Sequence, residues 1–361
     1  MPLNSYVTLG RSGLRVSPFC LGAMTFGQDL PGFGASVEDS EAVLAHYLEE
    51  GGNFIDTANG YTHGHSEKIL GDYFHQGKGE RDRVVIATKF FMNLFAGDPN
   101  GGGAGRKAII AQCEESLRRL QTDYIDLYYL HVWDRFTPIE ETMSALDDLV
   151  KSGKVRYVGI SDSPAWKVAQ AQAIAHFRGW NPLIALQVEY SLMERTVEGE
   201  LVPMAQALGL GILPWSPLKG GLLSGKYTRA NGAKMQGLRG ARAGEITEKQ
   251  YDIIDALGSV AAECETSSSA VALGWLKARS GVTSTIMGSS TLPQLEANLK
   301  ALDLTLTPEQ VQRLDSASKP VLNFPAEFLT HSPSISHAGA TVNGVSSQRM
   351  FLVPEDNSSR W

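Results

Sequence analysis

A chain of 361 residues with 43% hydrophobic and 20% charged side chains can bury a large core under an ordinary polar surface. Its net charge of −7 argues against a nucleic-acid footprint, which needs a concentrated basic patch. Cys20, Cys113 and Cys264 are odd in number and far apart, with no C-x-x-C and no Cys/His cluster, so they read as reduced, mostly buried thiols and no metal is expected. The opening MPLNSYVTLGRSG has no apolar core, and no stretch reaches about 18 consecutive apolar residues. The expectation is a soluble cytoplasmic protein without a membrane partner.

In chain order, YVTLGRSGLRVS reads as a β-hairpin turning at Arg11–Gly13 and placed to plug the N-terminal end of a barrel. Short β-rich runs then alternate with amphipathic helical runs. The strands fall at Phe19–Leu21, Phe54–Asp56, Val84–Thr88, Ile125–Leu130, Val155–Ile160, Leu186–Val188, Gly211–Pro214 and Ser284–Ile286. Helices fall near 39–50, 66–74, 106–120, 138–152, 164–177, 201–208, 250–264, 268–279 and 292–301. VVIAT and IDLYYL are largely apolar on both faces, as expected where helices cover one face of a sheet and a packed interior the other.

An open doubly wound sheet is the alternative. Eight strands of even length with no topological reversal favour a closed (β/α)₈ TIM barrel. One domain spans 1–361, with the barrel over about 7–317, an extra C-terminal helix and a long tail over about 320–361. Thr137–Pro138–Ile139–Glu140 resembles a capping box, and Ser152–Gly153 closes the helix that follows. Segments 91–105 and 216–249 and the tail beyond about 320 break the pattern, and all three are expected near the C-terminal mouth. The tail is expected to close over the pocket there.

The densest polar signal is NFIDTANGY at 53–61, where Asp56 ends a strand and Tyr61 follows in a Gly-containing loop. Lys89 follows VVIAT and His131 follows IDLYYL. Each alone has an ordinary explanation as a cap, a loop lysine or a core histidine. Together, three successive strands deliver an ionisable group to one face beside a tyrosine. A phenol near pKa 10 is a weak acid and needs help to protonate a developing alkoxide. A lysine ammonium lowers that pKa, an aspartate keeps the lysine charged, and a histidine can donate to the substrate oxygen. Tyr61, Lys89, Asp56 and His131 form a coherent proton-donor set for carbonyl reduction.

These segments carry a resemblance. GRSGLRVSPFCLGAMTFG, GGNFIDTANGYTHGHSEKILGDYF, VVIATKF, RLQTDYIDLYYLHVWD, GKVRYVGISD, LQVEYSL, WSPLKGGLLSGKY and IMGSSTLPQLEANL occur in that order. The chain resembles an aldo-keto reductase, in the longer bacterial and fungal branch similar to aryl-alcohol dehydrogenases and to potassium-channel β-subunits. The resemblance implies the same four catalytic roles, with hydride from NADPH. It places Ser161, Asp162 and Gln187 on the nicotinamide carboxamide and Trp215 on its ring. Ala23, Met24, Asp56 and Pro217 belong to the same implied cofactor set. Ser216, Leu218, Gly220 and Lys226 would follow the pyrophosphate, and Gly288, Ser290, Gln294 and Asn298 the adenosine. Asp162 stands where many relatives have Asn. Ser290 stands where many have a 2′-phosphate-binding Arg, leaving Lys226, Arg239 and Arg242 to supply charge and NADH open as the alternative.

GGGAG at 101–105 is not a phosphate-binding loop, because it lacks GK[ST] and a strand directly before it. No G-x-G-x-x-G opens a βαβ unit, which disfavours a Rossmann dehydrogenase. His63 and His65 read as loop or capping residues. Two other functions remain as alternatives: a cofactor-binding regulatory subunit with little turnover, and a Schiff-base lyase with Lys89 as nucleophile. Asp56 argues against the lyase by keeping Lys89 protonated. Met24, Phe26, Tyr61, Phe90, Phe91, Trp133 and parts of the tail form the expected substrate wall, which suits an apolar, aromatic or fused-ring carbonyl or the matching alcohol. A homo-oligomer is compatible with the chain.

Overall fold

Residues 2–230 and 245–354 are described by a computed structural model; Arg239 and Arg242 lie outside them. The chain opens with an antiparallel hairpin of β1 (Val7–Thr8) and β2 (Arg15–Val16). Gly10 holds a left-handed φ of +56°, and a Cβ there would stand 2.3 Å from the Ile184 carbonyl oxygen. The Arg11 N–H donates to the Gly209 carbonyl at 2.8 Å. These contacts seat the hairpin against the N-terminal end of the barrel, as expected.

Eight parallel strands follow: β3 (Phe19–Gly22), β4 (Phe54–Asp56), β5 (Val85–Phe90), β6 (Ile125–Leu130), β7 (Val155–Ser161), β8 (Leu183–Glu189), β9 (Gly211–Trp215) and β10 (Thr285–Gly288). β10 pairs with β3. The seam between β9 and β10 closes through Ile212, whose N–H donates to Gly281 and whose carbonyl accepts from Thr283 at 2.9 Å. The expected (β/α)₈ architecture is the observed one. The helices are α1 (Val37–Glu49), α2 (His65–His75), α3 (Arg106–Leu120), α4 (Ile139–Lys151), α5 (Ala165–Arg178), α6 (Leu201–Leu208), α7 (Glu248–Glu263), α8 (Ser268–Lys277) and α9 (Leu292–Leu299). The extra C-terminal helix is α10 (Pro308–Ala317).

Two apolar layers result. Phe54, Val85, Ala87, Leu127, Tyr129, Ala185 and Leu213 fill the barrel interior. Ile55, Ile86, Tyr128, Leu130, Leu186 and Ile212 face the helices. Because side chains alternate along a strand, this parity fixes which polar residues enter the mouth. Asp56 follows Phe54 by two, Lys89 follows Ala87, His131 follows Tyr129, Gln187 follows Ala185 and Trp215 follows Leu213, so all point inward.

The same parity corrects one expectation. β5 runs on through Phe90, past the expected end at Thr88. Phe90 therefore faces outward, fully buried with its ring 4.9 Å from Tyr128. Phe26 is fully buried as well. Neither side chain offers surface to a substrate.

One further expectation fails. Thr137 forms no capping box, because its hydroxyl donates to Asp134 and α4 starts from Pro138 without a side-chain cap. Capping boxes instead open α7 at Thr247/Gln250 and α10 at Thr307/Gln310. The tail contains two single-turn helices, α11 (Ala326–Leu329) and α12 (Ser332–Ser336), and a hairpin of β11 (Thr341–Val342) and β12 (Val345–Ser346). From Lys319 to Pro354 no residue is buried, so the tail lies along the surface. Its segment around Leu322 and Ala326 runs beside Gly199, on the loop that follows β8.

Candidate active site

The mouth is built from strand ends. Lys89, fully buried, donates through Nζ to Asp56 Oδ1 at 2.5 Å, to the Thr57 carbonyl at 2.8 Å and to the Tyr61 hydroxyl at 3.0 Å. All three protons of the ammonium are thus engaged. Asp56 uses its second oxygen to accept from Gln187 Nε2 at 2.9 Å. Burial alone would lower Lys89, but Asp56 and Tyr61 outweigh it and hold the ammonium above its ordinary range. Burial lifts the Asp56 carboxyl, with Lys89 and Gln187 pulling the other way.

Tyr61 sits on the loop between β4 and α2, held by its N–H to the Ala58 carbonyl. Thr62 and His63 after it adopt left-handed φ of 45° and 58°. Thr62 is secured by its hydroxyl bond to the Phe26 carbonyl at 2.8 Å. Asn59 Nδ2 donates to Met92 O and to Gln112 Oε1, both at 2.8 Å, which joins this loop to the one after β5. Enclosure lifts the Tyr61 phenol above its usual range, with Lys89 opposing. Lys89 pulls the phenol down as expected, but desolvation exceeds that attraction. The phenol stays protonated at neutral pH.

The His131 ring meets Tyr61 edge to face, centroids 5.8 Å apart. Its Nδ1 is buried and has no hydrogen-bond partner. Burial, aided by the Lys89 charge, lowers its pKa to about 3, so the imidazole is neutral. The Ser161 Oγ at the end of β7 is a second buried, unpartnered polar atom in the mouth. Trp215 ends β9 half-buried and donates through Nε1 to Asp162 Oδ1 at 3.0 Å.

Residues around 22 to 24 and 288 to 298 form the opposite wall. Gly288 is exposed, and a Cβ on it would meet nothing within 4 Å. Gln294 Oε1 accepts from the Ser290 N–H at 2.9 Å, at the start of α9. Asn298 is buried and donates to Ser289 Oγ at 3.3 Å. Ala23 is buried and Met24 exposed. After β9, Ser216, Leu218 and Lys219 lie half-buried around the buried Pro217, with Gly220 and Lys226 exposed. Left-handed φ at Ser216, Lys219 and Gly220 winds this segment tightly, and Lys219 pairs with Glu189 at 2.7 Å.

A model of the Aldo/keto reductase family matches residues 18–319. The chain belongs to the aldo/keto reductase family. A Bacillus subtilis protein named an uncharacterized oxidoreductase is 39% identical over 319 residues, covering 86% of this chain and 94% of its own length. A Saccharomyces cerevisiae protein named a putative aryl-alcohol dehydrogenase is 34% identical over 351 residues, 94% of this chain and 93% of its own. The norsolorinic acid reductase of Emericella nidulans is 37% identical over 329 residues, 89% of this chain and 83% of its own.

In this aldo/keto reductase, then, the four expected catalytic side chains meet in one mouth. The half-buried Phe91 and Trp133 stay at its edge, while Phe26 and Phe90 do not. The sequence reading missed Trp166 and Lys167, which pack on Trp133. Their position just after Ser161–Pro164, at a strand-to-helix loop on the same face, was the available signal. No helix among the described residues is long and apolar enough to cross a membrane.

Proposed function

We propose that this chain is an NADPH-dependent reductase of aldehydes and ketones, reversible toward the alcohols and working in the cytoplasm, with NADH as the competing cofactor. The observation that carries the reading is the Lys89 ammonium held between the Asp56 carboxylate and the Tyr61 hydroxyl. The unpartnered Ser161 hydroxyl, the half-exposed Trp215 ring and the open space above Gly288 suit a nicotinamide nucleotide. Ser161, Asp162 and Gln187 would hold its carboxamide and Trp215 its ring. Ser216, Pro217, Leu218, Gly220 and Lys226 would follow its phosphates, and Gly288, Ser290, Gln294 and Asn298 its adenosine.

When bound, that nucleotide supplies the hydride. The protein's own part is the proton. Tyr61 gives its phenolic proton to the carbonyl oxygen, and the phenolate left behind is stabilised by Lys89 at hydrogen-bond distance. Asp56 keeps Lys89 in place and charged, while neutral His131 offers a hydrogen bond to the same oxygen. Relatives named aryl-alcohol dehydrogenases support an aromatic aldehyde and alcohol couple.

Tyr61→Phe tests this directly. Turnover should vanish while NADPH still quenches the Trp215 fluorescence. Full turnover in the variant would overturn the mechanism, and tight NADPH binding without turnover of any carbonyl by the native chain would favour a regulatory subunit.

A further inference from the structure

The mouth carries an aromatic cluster that the proton chemistry does not use. Trp133, two residues beyond His131, meets Trp166 in the first turn of α5 edge to face, centroids 5.8 Å apart at 76°. Lys167 sets its Nζ 4.5 Å from the Trp166 ring centroid and 5.8 Å from that of Trp133. The cluster is continuous with the site. The Trp133 N–H reaches the Asp162 carbonyl at 3.5 Å, and Asp162 Oδ1 accepts from Trp215 Nε1 at 3.0 Å. One arc of residues thus leads from the nicotinamide-facing Trp215 out to Trp166.

Two properties separate this cluster from ordinary packing. Trp166 is 59% exposed, although a tryptophan that serves the core hides its large apolar surface. Lys167 donates to Gln170 Oε1 at 2.9 Å and pairs with no carboxylate among the described residues. Two of its three protons remain for another acceptor. A flat π surface suits the angle between the two indoles, and an anionic oxygen suits the ammonium beside them.

We propose that Trp133, Trp166 and Lys167 form a specificity site that selects planar aromatic carbonyl substrates carrying an anionic oxygen group remote from the carbonyl. The proposal rests on the reductase reading and names its substrate class. The aromatic body lies against the indoles while the reacting carbonyl reaches Tyr61, and Lys167 holds the anion at the rim.

The test uses the full chain with NADPH and three aldehydes: 6-formyl-2-naphthoate, 2-naphthaldehyde and butanal. Lys167→Met should lower kcat/KM for the naphthoate relative to 2-naphthaldehyde about fivefold to tenfold, through KM, and Lys167→Arg should restore the ratio. Added salt should erode the native preference and leave the Met variant unchanged. Trp166→Ala should lower kcat/KM for both naphthyl aldehydes relative to butanal by about tenfold. Unchanged ratios in both variants overturn the proposal. Equal losses on all three substrates together with a lower Tm also overturn it, by assigning the cluster to folding. If the native chain reduces none of the aldehydes, the reductase reading fails by itself. The platform is then judged by binding of 2-naphthoate, which Lys167→Met must weaken for the proposal to stand.

Discussion

Gln187 on β8 donates its side-chain amide across the mouth to Asp56 on β4 at 2.9 Å, so the carboxylate that anchors Lys89 is itself anchored from the far side of the barrel. Asp56→Asn keeps that shape and removes the charge. Burial then pushes the Lys89 ammonium down without its main opposing attraction. The expected result is a kcat lowered by about 10²-fold or more. The pH–rate profile should also gain an ionisation below the ordinary lysine value of 10.5. A native-like kcat and profile would show that the aspartate is dispensable.

His131 predicts a direction for acid sensitivity. Its folded pKa of about 3 lies below the ordinary 6.5, so between those values the unfolded chain binds a proton that the folded chain refuses. The stabilisation is complete above the unfolded value and is lost as pH falls toward the folded one. Urea denaturation from pH 7 to pH 4 should show a stability decline that is shallower in His131→Gln. The pH–rate profile of the native chain should show no histidine ionisation near neutrality.

Glu67 on α2 is fully buried and accepts from Thr88 on β5 at 2.5 Å and from Arg119 on α3 at 2.6 Å. Glu67→Gln leaves the mostly buried Arg119 guanidinium with Glu115 at 3.6 Å as its remaining carboxylate, and should cost about 1 to 3 kcal/mol of unfolding free energy. Equilibrium denaturation measures it. Glu67→Leu combined with Arg119→Met should recover much of that loss, because an apolar pair leaves no orphaned charge.

Gly10 gives a test at the opposite end of the barrel. An alanine there combines a left-handed φ of +56° with a Cβ 2.3 Å from the Ile184 carbonyl oxygen. Gly10→Ala should lower stability by about 1 to 3 kcal/mol, read as a fall in Tm, with kcat unchanged because the hairpin is far from the mouth.

Most of the barrel was legible because its strands alternate with helices and each strand is a short apolar run. The four mouth residues were legible for a related reason: one ionisable side chain ending an apolar strand has an ordinary explanation, but three successive strands ending so beside a tyrosine form a coherent set. What was not legible depended on a register set by neighbours. Phe90 looks like a mouth residue only if β5 stops at Thr88. Pairing of Lys89 with Tyr129 and of Phe90 with Leu130 carries the strand further and turns that ring outward. The net direction at Tyr61 also escaped the sequence, since it depends on how far the loop encloses the phenol. Trp166 was hidden in a helical pattern that does not say which turn overhangs the mouth.

The division between strand ends and helix starts has a consequence for how such a chain can change. Asp56, Lys89 and Gln187 are set by barrel register, where a shift of one position reverses inside and outside. Trp166 and Lys167 sit in the first turn of α5, where a replaced side chain disturbs no strand pairing. Selection can therefore act on the two parts at different rates, exploring new molecules at the rim while the chemistry beneath is inherited intact.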